Sequence, residues 1–379
     1  MGELGDKVRQ FALEVSGELS SMEERPAARR AIELLAEQGL LAWTVPQRFG
    51  GADTEGVASS GAVSVRRLCE VRAALAYGSG MLDVMCVMQG LGSYPVAMGG
   101  KQKLSSVVLP KVVSGENIAA FALTEPGAGS SLSEIATLAT PDGDGWRLTG
   151  NKTFISNAGI ADFYSVLART SGDIGDGEGL SMFYVPADRE GIEVRPFEVM
   201  APHPIGDVEF KGVQVFPGEV LGKEGDGLAL ALGTLQRFRT SVAAAANGFA
   251  RRALDEAIQR LSMREQFGRS LSAFQGLRFE VAEMDTRLRA AELLVVEAAD
   301  AVDNGAQAIQ EVARAKLYAT ENASWVCDRA IQHFGGLGVK RGETVERLYR
   351  EVRALRIYEG TSEIQKLILA KEIFGGRQR

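Results

Sequence analysis

IAAFALTEPGAGSS, residues 118–131, is where the texture of the chain changes. Upstream of it apolar residues recur at helical spacing, and downstream short β-branched or alternating runs take over. From here to about Leu221 the chain reads as strands separated by turn chemistry: IATLAT, WRLTGNKTFIS, DFYSVLART, LSMFYVPA, IEVRPF and DVEFKGVQV. The PDGDG at 141–145, between the first two runs, predicts a tight hairpin.

Towards the N-terminus, AARRAIELLAEQGLLAW predicts a helix over 27–43 that ends at the Pro- and Gly-rich VPQRFGGADTEG. Helical patterning continues over 62–97 and in KLSSVVLPKVVSG. Towards the C-terminus, the Gly-rich LGKEGDG at 221–227 precedes three long amphipathic segments, 228–263, 274–302 and 306–334, which read as a helical bundle. Helical, β and helical stretches in that order predict a mostly helical α+β protein with segregated units. The expected divisions are 1–118, 119–222 and 223–379.

Of the 379 residues, 45% are hydrophobic and 24% charged, the balance of a folded globular protein. With 42 basic against 49 acidic residues the net charge is -7, which gives no general attraction to nucleic acid or to an anionic membrane. Any contact with phosphate is therefore local. The N-terminal MGELGDKVRQFALEV has no basic segment leading into an apolar run, so the expected location is cytoplasmic. Cys69, Cys86 and Cys327 are scattered and form no CxxC, and they read as core residues. His203 and His333 lack the spaced partners a zinc site needs, so no protein-ligated metal is expected. No GxGxxG follows a strand and no GxxxxGK[ST] occurs, so a nucleotide would be held in some other way.

Five stretches carry chemistry only when taken together. LTEPGAGSS (123–131) offers small side chains, hydroxyls and free backbone N–H groups, yet alone it is a plain loop. KTFISNAG (152–159) places Phe154 and Ser156 on one face of a strand, an aromatic to cover a ring and a hydroxyl for its edge; alone it is a strand with one buried Phe. REQFGRSLSAFQ (264–275) interrupts two helices with an arginine suited to phosphate, or with a merely solvated one. QHFGGLG (332–338) is a helix C-cap or a close approach of backbone to a ligand. RIYEGTSEIQK (356–366) sets Glu359 between an aromatic and a glycine where one helical pattern ends and the next begins.

In order and spacing, LTEPGAGS, KTFIS, RxQFG with a later FQ, QxFGGxG and IYEGTSEI resemble the acyl-CoA dehydrogenase family of flavoproteins over essentially the whole chain. That resemblance implies an N-terminal helical domain, a central antiparallel β-barrel-like domain and a C-terminal four-helix bundle. It also implies a homo-oligomer, dimer or tetramer, with FAD as cofactor and an electron-transfer flavoprotein as acceptor. By position, Phe121, Leu123, Thr124, Gly129 and Ser130 match residues lining the flavin ring and its adjoining turn. Phe154 and Ser156 match those covering the ring and bonding near N5; many relatives carry Trp at the first. Arg264, Phe267 and Gln275 match the residues that hold pyrophosphate and adenosine from an adjoining subunit, while Gln332, Gly335, Gly336, Thr361 and Glu363 complete the cofactor set.

Glu359 matches the base that removes the α-proton of an acyl thioester while hydride leaves Cβ, and burial would raise its pKa towards a useful value. Ser130, Arg239, Tyr358 and Gly360 match substrate contacts. Gly360 is expected to take the unusual backbone angle, and Ser362 with Gln365 to form a capping box. Relatives with the base on another helix align it with Phe238, which cannot serve. CoA-using relatives carry G-x-R-x-S before a strand of the β domain; here VMAPHPIGDVEF (199–210) has neither the Arg nor the Ser. The resemblance therefore leaves the carrier open between coenzyme A and an acyl carrier protein. It also leaves an oxidase on the same scaffold, or a non-catalytic carrier-binding homologue, as alternatives to a dehydrogenase.

Overall fold

The structure, a computed structural model, describes residues 2–54 and 62–375. The end of the Pro- and Gly-rich break predicted after residue 43 lies outside these residues. In chain order the helices of the first third are α1 (Glu3–Ser20), α2 (Glu24–Glu37), α3 (Val65–Gly78), α4 (Gly80–Gly99) and α5 (Gln102–Val113). Strands follow: β1 (Ala119–Ala122), β2 (Leu138–Asp142), β3 (Gly145–Ser156), β4 (Phe163–Arg169), β5 (Leu180–Pro186), β6 (Ile192–Pro196), β7 (Ile205–Val215) and β8 (Val220–Leu221). Then come α6 (Gly227–Met263), a hairpin of β9 (Glu265–Gln266) and β10 (Arg269–Ser270), α7 (Gln275–Asp303), α8 (Ile309–Phe334), α9 (Thr344–Leu355) and α10 (Ser362–Gly375).

The helix predicted over 27–43 stops at Glu37. Gly39 adopts φ +66°, a left-handed angle that ends the helix, and Leu40–Thr44 continues as a 3₁₀ turn. The stretch predicted as helical over 62–97 is divided between α3 and α4 at Ser79.

The chain forms two compact units. The first draws on residues 2–17, 65–83 and 239–375 and is helical. α7 packs on α3 and α8, and α8 packs on α9 and α10. Its core mixes Phe249, Leu254, Leu288, Val312, Val326 and Leu348 with runs of alanine. Small residues permit close helix approach here: a Cβ added at Gly248 would lie 2.2 Å from the Ala73 carbonyl oxygen, and one at Gly78 would lie 2.6 Å from Ala12 Cβ. The SVAAAANG run of α6 is thus a close-contact surface.

The second unit draws on residues 18–54, 62–64 and 84–238 and carries the sheet. Strand order is β6-β7-β3-β2-β4-β5-β8, with β1 on β4. Most pairings are antiparallel; β1 and one residue of β2 pair in parallel with β4. The predicted hairpin forms with Asp142 opposite Gly145 and Gly143 at φ +63°. One face of the sheet buries Tyr164, Val166, Phe183 and Phe210, while Phe163, Leu167 and Met182 pack with Val96, Leu109 and Val112 of α4 and α5. Every residue of β4 is consequently buried.

Cys69, Cys86 and Cys327 are all buried, and none is held in a disulfide. Among the described residues no helix is long and apolar enough to cross a membrane, and no group of three or more His, Cys, Asp or Glu could hold a metal ion.

Candidate active site

α9 ends at Leu355 and α10 begins at Ser362, so residues 356–361 form a turn between two helices. Glu359 itself takes φ +54°, and Gly360 follows at φ +93°. The strained angle thus falls on the carboxylate residue as well as on the glycine. Two cations clamp this turn by its carbonyls. Arg239 Nε donates to Glu359 O at 2.8 Å, and Lys316 Nζ donates to Gly360 O at 2.7 Å, joined there by Gln365 Nε2 at 3.0 Å. The expected Ser362–Gln365 capping box does not form. Ser362 Oγ donates instead to Glu321 Oε1 at 2.6 Å, and Thr361 Oγ1 accepts from the Ile364 N–H. Thr361 therefore caps α10, because Ser362 is already drawn to α8.

The Glu359 carboxyl has its Oε2 closed off from solvent with no hydrogen bond to accept, a state it shares in this unit with Glu351 Oε2. Burial pushes its pKa above the ordinary carboxylate value, opposed by Arg72, Arg239 and Lys316, while Asp83 adds to the rise. Arg72 forms a bidentate pair with Asp83, both contacts 2.8 Å, and its third nitrogen donates to Ser241 Oγ at 2.9 Å. Both members of that pair are almost wholly buried. Burial likewise pulls the Lys316 ammonium down to about 8, against the pull of Glu359. An unsatisfied, partly desolvated carboxylate with three cations around it can accept a proton at an unblocked oxygen.

In the β unit, the loop 123–131 is held from beneath. Lys152 Nζ donates to Leu123 O at 3.0 Å and to Glu125 Oε1 at 2.7 Å, and Glu125 also accepts from the Ala136 and Thr137 N–H groups. The Thr153 N–H donates to Thr124 O at 2.9 Å, tying the loop to β3. Leu123 points into the core, Phe121 and Thr124 are part-buried, and Gly129 and Ser130 are exposed. β3 is irregular between Lys152 and Ile155, where the register against β7 shifts. That bulge turns Phe154 out of the sheet at φ +54° and leaves it 62% exposed, with its ring edge-on to Phe197 at 5.1 Å. The Phe154 predicted as covering a ligand is therefore not a buried strand residue. Ser156 Oγ lies 3.1 Å from His203 Nε2.

A third cluster belongs to the helical unit. A cleft of about 500 Å³ is lined by Arg260, Arg264 and Gln266 on one side and Gln332, Gly335 and Gly336 on the other. Gly335 ends α8 at φ +62° and ψ -139°, a conformation essentially confined to glycine, and a Cβ at either glycine would meet nothing within 4 Å. Arg260 Nε is buried there without a hydrogen-bond partner. The β9–β10 turn carries Phe267 at φ +54° and Gly268 at φ +77°, which leaves Phe267 91% exposed at its tip. Gln275 stands in the first turn of α7, outside the cleft lining. Glu363 opens α10. Phe238, the alternative base position, is fully buried, edge-on to Tyr94 at 5.5 Å and tight against Gly90.

Sequence reasoning missed Lys316, Arg72 and Asp83. The signal available was a charge on an apolar stripe: Lys316 falls between Val312 and Ala319 on the buried face of α8, and Arg72 lies inside the buried run of α3.

Family models match most of the chain in order: the acyl-CoA dehydrogenase N-terminal domain at residues 2–116, its middle domain at 120–213 and its C-terminal domain at 225–374. The chain belongs to the acyl-CoA dehydrogenase family, FAD-dependent oxidoreductases that act on CH–CH groups. A 3-(aryl)acrylate reductase of Clostridium sporogenes is 34% identical over 363 residues, covering 95% of this chain and 93% of that protein. Butyryl-CoA dehydrogenase from Megasphaera elsdenii superposes with a TM-score of 0.89 at 28% identity, over 99% of both chains. A prolyl acyl carrier protein oxidase superposes with a TM-score of 0.88 at 27% identity, over 98% of this chain and 99% of that one.

The residues present fit FAD. An exposed aromatic with a neighbouring hydroxyl suits a flavin ring. A cleft with two arginines, amide side chains and open glycines suits a pyrophosphate and a nucleoside.

Proposed function

We propose that this protein is a dehydrogenase of acyl thioesters in which Glu359 removes the α-proton. FAD, when bound, supplies the acceptor for the hydride that leaves Cβ. Phe121, Thr124, Gly129, Ser130, Phe154 and Ser156 would hold the ring, with Leu123 contributing backbone. Arg264, Phe267, Gln275, Gln332, Gly335, Gly336, Thr361 and Glu363 would hold the remainder. The observation that carries this reading is the Glu359 carboxyl, whose Oε2 has neither solvent nor partner although the turn is clamped on both carbonyls. Arg239 and Lys316 fix the backbone, so the side chain is aimed without either cation neutralising it by direct contact. Tyr358 and Ser130 remain the flanking substrate contacts of this reading, with the Gly360 carbonyl already committed to Lys316.

For the carrier, the 199–206 segment favours an acyl carrier protein over coenzyme A. Its one long polar side chain, His203, turns back to Ser156, and Pro202 and Pro204 stiffen the stretch that would otherwise grip a carrier. The exposed Phe267 at a hairpin tip supports a homo-oligomer, and an electron-transfer flavoprotein is the acceptor assigned in this reading.

Anaerobic bleaching of the bound flavin by matched acyl-CoA and acyl-carrier-protein thioesters tests both parts. Glu359→Gln is expected to keep FAD and substrate binding while bleaching slows by roughly 10²–10⁴-fold, the usual worth of a general base. Unchanged bleaching in that variant would sink the assignment, and faster bleaching by the CoA ester would reverse the carrier preference.

A further inference from the structure

The stretch in which CoA-using relatives carry an Arg and a Ser here places a histidine against a cofactor-site hydroxyl. β7 begins at Ile205, directly opposite Ser156 of β3, and the Asn157 N–H donates to Pro204 O at 2.7 Å. His203 lies in the loop two residues before β7, and the Ser156–Ile205 pairing with the Asn157–Pro204 hydrogen bond brings that end of the loop beside Ser156. Both ring nitrogens are occupied: Nδ1 is 3.0 Å from Ala201 O, and Nε2 is 3.1 Å from Ser156 Oγ. A carbonyl oxygen only accepts, so Nδ1 carries the proton. Burial holds the imidazole pKa below its ordinary value, hence the ring is neutral at pH 7 and Nε2 is bare. A bare nitrogen accepts, so the Ser156 hydroxyl must donate its only proton to it.

We propose that His203 is a positioning residue that commits the Ser156 proton, so that Ser156 presents an acceptor oxygen, and no donor, to the flavin. The proposal rests on the reading that Ser156 borders the flavin near N5. Oxidised N5 is an acceptor and reduced N5 carries an N–H, so an acceptor-only oxygen opposes the first and bonds the second. His203 thereby biases the bound cofactor towards its reduced form. A serine free of His203 could rotate to donate to the oxidised ring while still accepting from the reduced one.

The first test needs no flavin. The chain contains only two histidines, so ¹⁵N-histidine spectra assigned by loss of signals in His203→Phe report the tautomer directly. Above pH 7 His203 is expected as the Nδ1–H form, and an Nε2–H form or a protonated ring overturns the proposal. The second test is the two-electron reduction potential of the holoprotein in a double-mutant cycle. His203→Phe is expected to lower the reduced-to-oxidised ratio about tenfold, roughly 30 mV for a two-electron couple. In the Ser156→Ala background the same change is expected to shift nothing, and an equal shift in both backgrounds overturns the proposal. If Ser156→Ala alone leaves the flavin spectrum and potential unchanged, the placement of Ser156 fails instead, whatever the tautomer. Should His203→Phe fold poorly, His203→Leu serves the cycle, and the spectra of the parent protein decide the tautomer regardless.

Discussion

A non-glycine residue at φ +54° costs about 1–3 kcal/mol, and Glu359 holds that angle because its neighbours over-determine it. Three of the five described non-glycine residues with positive φ, Phe154, Phe267 and Glu359, are residues singled out from sequence as site candidates. Strain therefore marks the site independently of any motif. At Glu359 the restraint comes from Arg239 and Lys316, and the second of these makes a charge-assisted bond worth about 1.5–3 kcal/mol. Lys316→Met is expected to lower kcat/KM by about 10–100-fold. It also removes one of the cations that oppose burial, so the pKa of Glu359, already raised, rises further. In its proposed role as base Glu359 acts ionised, so the rising limb of the pH–rate profile is expected to move to higher pH in Lys316→Met and to stay nearer its original place in Lys316→Arg. A limb that does not move in the methionine variant would reduce Lys316 to packing.

Among elements, β3 shows how a buried ion pair sets a candidate site side chain. Lys152 is fully buried and reaches both the Leu123 carbonyl and Glu125, and the bulge that throws Phe154 outward begins at Lys152. Although burial works against it, Glu125 is held below the ordinary carboxylate range by Lys152 and by the N–H groups it accepts from. Lys152→Met would leave that carboxylate buried and unpaired. The expected loss is about 3–5 kcal/mol in denaturant unfolding, whereas Lys152→Met with Glu125→Leu should cost clearly less than the sum of the single changes. This element also marks the limit of the sequence. Alternation identified the strand and placed Phe154 and Ser156 within it, since periodicity is local. The bulge and the outward turn of Phe154 depend on Lys152 finding Glu125 across 27 residues, which no local pattern records. In the same way the long helices α6, α7 and α8 were legible from their stripes, while the roles of Lys316 and Arg72 required knowing what their helices pack against.

The compact units of the whole molecule each combine distant stretches of sequence, so a reading of contiguous textures sees helix and strand but not which helices share a core. Charge is another property that only the whole makes informative. A chain of net charge -7 repels an anionic cofactor at long range, so in the proposed reading affinity for a pyrophosphate would rest on the local arginines of the 260–337 cleft. Arg264 is suited to that task by its planar fork, which a lysine cannot reproduce. A ligand that binds only the folded protein stabilises it by mass action, about 2.7 kcal/mol at one hundred times its dissociation constant. The unfolding temperature is therefore expected to climb with added FAD. Arg264→Gln should weaken FAD by about 10–100-fold if one charge-assisted contact is lost, and each tenfold removes about 1.4 kcal/mol of that stabilisation at fixed FAD. Arg264→Lys is expected to fall between the two. All three proteins should melt alike once stripped of flavin, because no folded-state ion pair is lost with the Arg264 side chain among the described contacts. Thermal melts across an FAD titration check this: coincident curves for parent and Arg264→Gln would place the pyrophosphate elsewhere, whereas a curve displaced at high FAD but meeting the parent at zero FAD would support its place in the cleft.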